Sequence, residues 1–371
     1  MKTHAAVLWG VGQDWVVEEL ELDEPKYGEV ELKLAASGMC HSDEHVRDGG
    51  VPVKSFPFIG GHEGAGVVTK AGPGVTSLKE GDHVVLGFIP ACGRCPSCAT
   101  GKSSICDMGA VLMDGWQISD GTARHHVRGQ DARLMCLLGT FAPYTVVNEA
   151  SCVKITDDVP LDKAALVGCG VTTGWGSSVY AADVQAGETV VVLGVGGVGV
   201  GAIQGAALSG ARFLIAVDPS PFKQEQARLF GATHTASSIE EALPLLQDIT
   251  WGRLADKVLI TIGVARGDIV ASAMSLVGKG GTCVHVSVGD LRQIDTKLSL
   301  FDLTAMRKTL KGSWFGNANI RKDIPDLLRL YMEGKLKLDE MITREYSLEQ
   351  VNDGYEAMRK AENVRGLIRY E

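Results

Sequence analysis

The strongest constraint on this chain is a six-residue run, Gly194-Val-Gly-Gly-Val-Gly199, set between the apolar stretch TVVVL and the helix-forming GAIQGAALSG. Five successive β-branched or aliphatic residues that end on glycines read as a strand buried on both faces, running through a tight turn into a helix. Each glycine then has a reason. Gly194 permits the turn, Gly196 lets backbone approach a pyrophosphate, and Gly199 allows the helix to pack close to the strand. Gly197 and Val198 belong to the first turn of the helix, whose N-terminus faces the phosphates. A second apolar strand, FLIAVD, ends at Asp218, nineteen residues beyond Gly199. A carboxylate there can accept from the adenosine ribose hydroxyls and repel a 2′-phosphate, which points to NAD rather than NADP. Asp218 also has a plainer reading, as the cap of the Asp-Pro-Ser-Pro turn that follows it.

The same alternation of strand and helix continues through PFKQEQARLFGA, KVLITIGV, ASAMSLVGKG and GTCVHVSV. It predicts an α/β domain, a doubly wound parallel sheet of the Rossmann type, over residues 171–313. The preceding residues have another texture. VELKLAA, GAGVVTKAG, DHVVLG and YTVVNEASCVKI are short β-rich runs punctuated by glycine and proline, so residues 1–170 are expected to form a mainly β domain. After residue 313, DIPDLLRLYMEG and SLEQVNDGYEAMRK read as helices and GLIRYE as a closing strand. Residues 314–371 are too few for a domain of their own and are expected to return to the first, leaving the Rossmann domain as an insertion. A length of 371 residues suits two cores, and 46 glycines suit the many tight strand-to-helix turns of this architecture.

A formal net charge of -9 without any basic block excludes the electrostatic footprint of a nucleic-acid binder. The opening MKTHAAVLWGVGQDW lacks the apolar core of a signal peptide, and no run of about 18 apolar residues occurs, so the expectation is a cytoplasmic protein without membrane contact. In that reducing setting nine cysteines point to metal before disulfides. Cys92, Cys95, Cys98 and Cys106 form a Cys-x2-Cys-x2-Cys-x7-Cys array, compact enough for one loop to wrap four thiolates round a single zinc. All four coordination positions would be filled, so this zinc would be structural. An iron–sulfur cluster and disulfides are the rival readings.

Three further candidate ligands lie far apart: Cys40 in GMCHSDEH, His62 in GGHEGAG and Cys169 in LVGCGVTTGWG. Taken singly, each can be a buried thiol or a loop histidine, and spacing cannot assemble them. These segments, the four-cysteine loop, Glu80-Gly-Asp-His83 and the glycine turn nevertheless follow one another as in the zinc-dependent medium-chain alcohol dehydrogenases, which the chain resembles along its whole length. The resemblance implies a GroES-like fold for the β domain. It also implies a catalytic zinc on Cys40, His62 and Cys169 with its fourth place open, the two-cysteine, one-histidine set known for alcohol dehydrogenase itself. Asp43 would then orient His62, and Glu63 would lie behind the metal. Ser42 and His45 would relay the proton, Lys223 would touch the cofactor ribose, and Arg365 would touch the pyrophosphate. His41 stands where some relatives carry an arginine, which weakens one phosphate contact. Phe88 and Phe141 are candidates for the substrate pocket, with an ordinary core role equally open. Cys136, Cys152 and Cys283 match no ligand position and read as buried thiols.

The activity so implied is reversible oxidation of an alcohol to an aldehyde by hydride transfer to NAD, with two zinc ions per subunit. Phrases such as VLWGVGQDW, QISDGTARHH and MCLLGTF resemble one subgroup, the nicotinoprotein alcohol dehydrogenases assayed with N,N-dimethyl-4-nitrosoaniline, in which NAD(H) stays bound and is recycled in place. The polar segment from Asp107 to Arg128 matches a loop of dimeric relatives, so a homodimer is expected, with a homotetramer as the alternative. Two other functions stay open at this point. One is oxidation of a thiol adduct of formaldehyde, for which Arg124 and Arg128 are the available anion binders. The other is a non-catalytic dinucleotide-binding or redox-sensing protein.

Overall fold

The computed structural model describes residues 1–264 and 266–371. The chain divides into two units, Met1–Cys169 together with Asn319–Glu371, and Gly170–Ala318. The second boundary lies five residues beyond the expected 313. The turn Phe315–Asn317 packs so tightly on the helix Gly170–Gly176 that a Cβ on Gly176 would stand 2.3 Å from the Gly316 carbonyl oxygen. Residues 314–318 therefore belong to the inserted unit.

In the inserted unit, six strands among the described residues make one parallel sheet. Its order is His234–Ala236, Phe213–Val217, Thr189–Leu193, Ala255–Ile260, Val277–His285 and Thr309–Gly312. The first strand in sequence lies inside the sheet, and the chain leaves it first to one side and then to the other. This reversal opens a crevice at the C-terminal end of Thr189–Leu193, where the glycine turn sits. That strand is buried along its whole length, as its unbroken apolar sequence requires. Serines cap the crossover helices: Ser220 accepts from Lys223 N ahead of Pro221–Leu229, and Ser238 from Glu241 N ahead of Ile239–Ile249.

The other unit is built on two mainly antiparallel sheets among the described residues. One runs Gln130–Asp131, His125–Val127, Val16–Leu22, Lys2–Leu8, Phe58–Ile59, Arg133–Leu134. The other runs Cys152–Lys154, His83–Leu86, Glu63–Ala71, Glu29–Gly38, Arg365–Arg369, Ile342–Tyr346, with Tyr144–Asn148 also paired to Glu29–Gly38. The closing strand pairs Leu367 with Gly38 and Arg369 with Ala36, so the end of the chain is held in the sheet of its beginning.

Two buried polar features mark this unit. Arg124 and Glu29 are both fully buried and joined by two parallel hydrogen bonds, Nε to Oε2 at 2.9 Å and Nη2 to Oε1 at 2.8 Å. The remaining Arg124 donors reach Thr122 Oγ1 at 2.6 Å, the Ala123 carbonyl at 2.8 Å and the Asp120 carboxylate at 3.0 Å. The neighbouring His125 is equally buried, with Nε2 at 3.1 Å from Thr145 Oγ1. Burial first, then the charges of His126 and Arg124, push its imidazole down to about 3. Between about pH 6.5 and 3 the unfolded chain therefore holds a proton that the folded chain refuses, and stability falls as pH drops through this window. The expected slope from this residue is about 1.4 kcal/mol per pH unit. Urea unfolding of wild type and His125→Gln at pH 7, 6, 5 and 4 measures it. The variant should lose less stability on acidification, and parallel losses would show that His125 is not the source.

Candidate active site and metal centres

Cys92 and Cys106 bracket a loop whose middle is the short helix Pro96–Ala99, with Cys95 as its capping residue and Pro96 at its first position. The four Sγ atoms all lie within 4.8 Å of one another, with Cys95 to Cys106 at 3.8 Å and Cys92 to Cys98 at 4.0 Å. A tetrahedron with zinc–sulfur bonds of about 2.3 Å has edges of about 3.8 Å, so the spacing fits a single zinc. Backbone N–H groups point at the sulfurs: Cys95 N at Cys92 (3.3 Å), Cys98 N at Cys95 (3.4 Å) and Cys92 N at Cys106 (3.5 Å). Burial opposes the charge on Cys92, but donors from Arg94 and Cys95 outweigh it and bring the thiol down to about 6. Burial and its thiol neighbours push Cys98 up to about 12.

The second cluster is assembled by strand pairing. Gly38 pairs with Glu63 at the end of the ladder between Glu29–Gly38 and Glu63–Ala71, which brings Cys40 and His62, just outside that ladder, to the same sheet end. Gly168 lies against the Leu86 carbonyl, where a Cβ would approach to 2.4 Å, and so delivers Cys169 to the same place. Ligand atoms of Cys40, His62, Glu63 and Cys169 all fall within 4.8 Å of one another, and all four residues are buried. A hydrogen bond shared with Cys169 holds the Cys40 thiol well below its ordinary range and raises Cys169 in return. Burial disfavours charge on His62, but the Asp43 carboxylate prevails and raises it. Two soft thiolates and one imidazole form a donor set suited to zinc, and the Glu63 carboxylate completes the group.

Around these atoms the helix His41–Arg47 supplies the second tier. Asp43 Oδ1 accepts from Gly61 N at 2.7 Å, and Oδ2 lies 3.2 Å from His62 Nδ1. Ser42 Oγ is 3.7 Å from Cys40 Sγ. His45, one turn further on, is buried, with Nδ1 at 3.9 Å from the exposed Asp48 carboxylate and its ring 6.2 Å from that of His41. Arg365 is buried with its guanidinium on the Glu63 carboxylate. A pyrophosphate contact would have to use the nitrogens that Glu63 leaves free.

At the glycine turn, Gly194 has φ +95°, and a Cβ on Gly199 would stand 1.9 Å from the Gly194 carbonyl oxygen. Gly196 alone of the three faces open space, as close approach of a ligand to the backbone requires. Asp218 Oδ2 accepts from Val195 N at 2.8 Å and Oδ1 from Ser220 N at 3.0 Å. The plain capping role, through Ser220, is thus real, and the Val195 contact ties the two strand ends together. Lys223 N meets the Ser220 hydroxyl at 3.5 Å, in the first turn of the helix after Asp218. Thr261, not singled out by the sequence, donates its hydroxyl toward the carbonyls of Leu193 (2.9 Å) and Gly194 (2.8 Å), and so braces the turn. A lone threonine at a strand end carries no signal in sequence that would reveal this.

Residues 26–157 match the alcohol dehydrogenase GroES-like domain and residues 197–333 match the zinc-binding dehydrogenase domain. The chain is 49% identical over 370 residues to alcohol dehydrogenase B of Mycobacterium tuberculosis, covering 100% of this chain and 99% of that protein. The chain belongs to the zinc-binding medium-chain alcohol dehydrogenase family. It is also 50% identical to an NDMA-dependent alcohol dehydrogenase of Amycolatopsis methanolica, over 99% of both chains. Its fold is similar to that of the crystal structure of benzyl alcohol dehydrogenase from Acinetobacter calcoaceticus, with a TM-score of 0.92, 31% identity and 100% of both chains covered. The expected GroES-like and Rossmann architecture is thereby established, and the protein is an oxidoreductase.

Two expectations for this dehydrogenase need correction. Phe141 is fully buried, with its ring 5.6 Å from Trp15 and 6.2 Å from Tyr355. It fills the core behind Gly60 and Gly61 and has no surface to offer a substrate. Arg124 is consumed by Glu29, so it is not available to bind the anionic end of a thiol adduct. Arg128 is paired with Glu18 and lies over the Trp9 ring at 4.8 Å. Phe88, by contrast, stands edge-on to the His62 ring at 5.8 Å.

Proposed function

We propose that this dehydrogenase oxidises alcohols reversibly to aldehydes at a zinc held by Cys40, His62 and Cys169, with NAD bound at the glycine turn and a second, structural zinc on the four-cysteine loop. The observation that carries the reading is the convergence of the Cys40, His62 and Cys169 ligand atoms, from three distant segments, within 4.8 Å. When bound, the zinc supplies a Lewis acid that lowers the alcohol pKa, and the nicotinamide supplies the hydride acceptor. The protein's own groups do the rest. Asp43 holds the His62 ring, and the two thiolates offset the charge of a dication. The Ser42 hydroxyl and His45, at i and i+3 on one helix face, offer the proton a route from the buried end toward the exposed Asp48. Phe88 covers His62 and shields the reacting end of the substrate. Asp218 keeps lone pairs for the ribose hydroxyls, and the family resemblance assigns Lys223 to the ribose and His41 and Arg365 to the pyrophosphate.

NAD(H) retained as a resident group is the form we favour, because half-identity to an NDMA-dependent enzyme supports it. The paired Arg124 removes the main support for a thiol-adduct substrate. We further propose a homodimer working in the cytoplasm, with a homotetramer as the alternative assembly. No helix among the described residues is long and apolar enough to cross a membrane. The purified, dialysed protein should carry about two zinc ions per chain and release nicotinamide into an acid extract. It should turn over primary alcohols with an artificial acceptor faster than with free NAD. A nicotinamide-free extract would exclude retention, and faster turnover of formaldehyde with added thiol would exclude the simple alcohol as substrate.

A further inference from the structure

The helix Val351–Arg359 is tied at one end to Trp15 and at the other to the His41–Arg47 helix. Asn352 exchanges hydrogen bonds with the Trp15 backbone at 3.0 and 2.8 Å, and Arg359 Nη1 donates to Glu44 Oε1 at 2.5 Å. Between these anchors sits Tyr355, 1% exposed, its ring stacked on Trp15 at 6.3 Å and 23° and tilted against Phe141 at 6.2 Å and 59°. Such an apolar slot would take phenylalanine. A hydroxyl buried there without a partner incurs its desolvation for no return. Yet the Tyr355 hydroxyl is buried and lacks a partner in ordinary hydrogen-bond geometry, and the same holds for Asp43 Oδ2. Asp43 Oδ2 does face His62 Nδ1 at 3.2 Å, so it is the Tyr355 hydroxyl above all that calls for an explanation.

We propose that Tyr355 is a positioning residue for the metal centre, its phenol donating to Asp43 Oδ2 so that this carboxylate is held on both sides, by Gly61 N–H on one oxygen and by tyrosine on the other. The inference rests on the catalytic zinc reading given above. Burial keeps the phenol protonated, and Asp43 is the foremost charge acting on it, ahead of Cys40 and Glu44, with a hydrogen bond to Asp43 among the influences. The phenol is therefore a donor at every pH at which the enzyme works. Held in this way, Asp43 faces His62 Nδ1 in one orientation only and leaves Nε2 to the metal. Carboxylates that orient ligating histidines change metal affinity by 10–100-fold when they are disturbed, and a group acting one atom further out should fall near the lower end.

The test is release of zinc from the two-zinc holoenzyme to a chromophoric chelator, comparing wild type, Tyr355→Phe and Trp15→Phe, with the visible spectrum of the cobalt-substituted catalytic site as a second readout. Tyr355→Phe keeps the ring and its stacking and removes one oxygen. It should weaken one zinc per chain by about tenfold, leave the four-cysteine zinc unchanged and shift the cobalt spectrum. Trp15→Phe, which alters the stack but keeps the hydroxyl, should do neither. Equal zinc affinity in wild type and Tyr355→Phe would overturn the inference, as would an equal loss in Trp15→Phe, which would make the effect one of packing. A wild-type chain that binds only the four-cysteine zinc would overturn the catalytic reading itself, a result distinguishable from both.

Discussion

Cys40→Ala is expected to lower kcat/KM by at least about a thousandfold while the protein remains folded. Zinc content should fall from about two to about one ion per chain, because the four-cysteine site does not depend on Cys40. A Lewis acid at the reacting oxygen contributes several kcal/mol to the barrier, and each 1.36 kcal/mol is tenfold in rate, which sets the size of the loss. The fold should survive for a structural reason. Cys40 precedes the His41–Arg47 helix but makes no side-chain capping hydrogen bond there, so its sulfur is not part of the scaffold. Steady-state kinetics with metal analysis and a thermal melt on the same preparation decide the matter. Turnover near that of wild type with one zinc per chain would sink the assignment of Cys40.

The second large effect concerns stability. Arg124→Met should destabilise the protein by about 3–5 kcal/mol, because it strands the Glu29 carboxylate, which has no solvent exposure, without its cation. Glu29→Leu should cost somewhat less, because the stranded Arg124 guanidinium keeps the Asp120 carboxylate at 3.0 Å. The double replacement Glu29→Leu with Arg124→Met should recover most of the loss, since removing both charges removes both desolvation penalties. Denaturant midpoints of the four proteins measure the coupling, and additive losses would show that the pair is not a unit. Turnover per folded molecule should be unaffected by Arg124→Met, with alcohols and with a thiol adduct alike. Selective loss of the thiol-dependent activity would restore Arg124 as an anion binder.

Much of the molecule was legible before any coordinates. TVVVL followed by Gly194-Val-Gly-Gly-Val-Gly199 could only be an interior strand entering a helix, and the sheet has that strand between Phe213–Val217 and Ala255–Ile260. The division into a β-rich unit and an α/β unit was equally visible as a change of hydrophobic period. The second unit boundary was not, because the contact of Gly316 with Gly176 joins residues 140 positions apart. Phe141 and Tyr355 show a further limit. An aromatic residue in an apolar stretch reads alike whether it lines a pocket, fills a core or turns a hydroxyl toward a buried carboxylate. Only the positions of Trp15, Gly60 and Asp43 separate these cases.

The two metal sites divide along the same line. Cys92, Cys95, Cys98 and Cys106 occupy fifteen consecutive residues, so the loop can wrap one ion by local backbone geometry alone, and the spacing determines the site. Cys40, His62 and Cys169 are separated by 22 and 107 residues, and no local rule relates them. Pairing of Gly38 with Glu63 and the close packing of Gly168 on Leu86 bring them together. The sequence by itself therefore determined the dinucleotide turn and the four-thiol loop, both of which are short-range. Only the tertiary structure decided the second cluster, and with it the burial of Arg124 on Glu29 and of Tyr355 near Asp43, because each depends on which distant strands and helices share a wall.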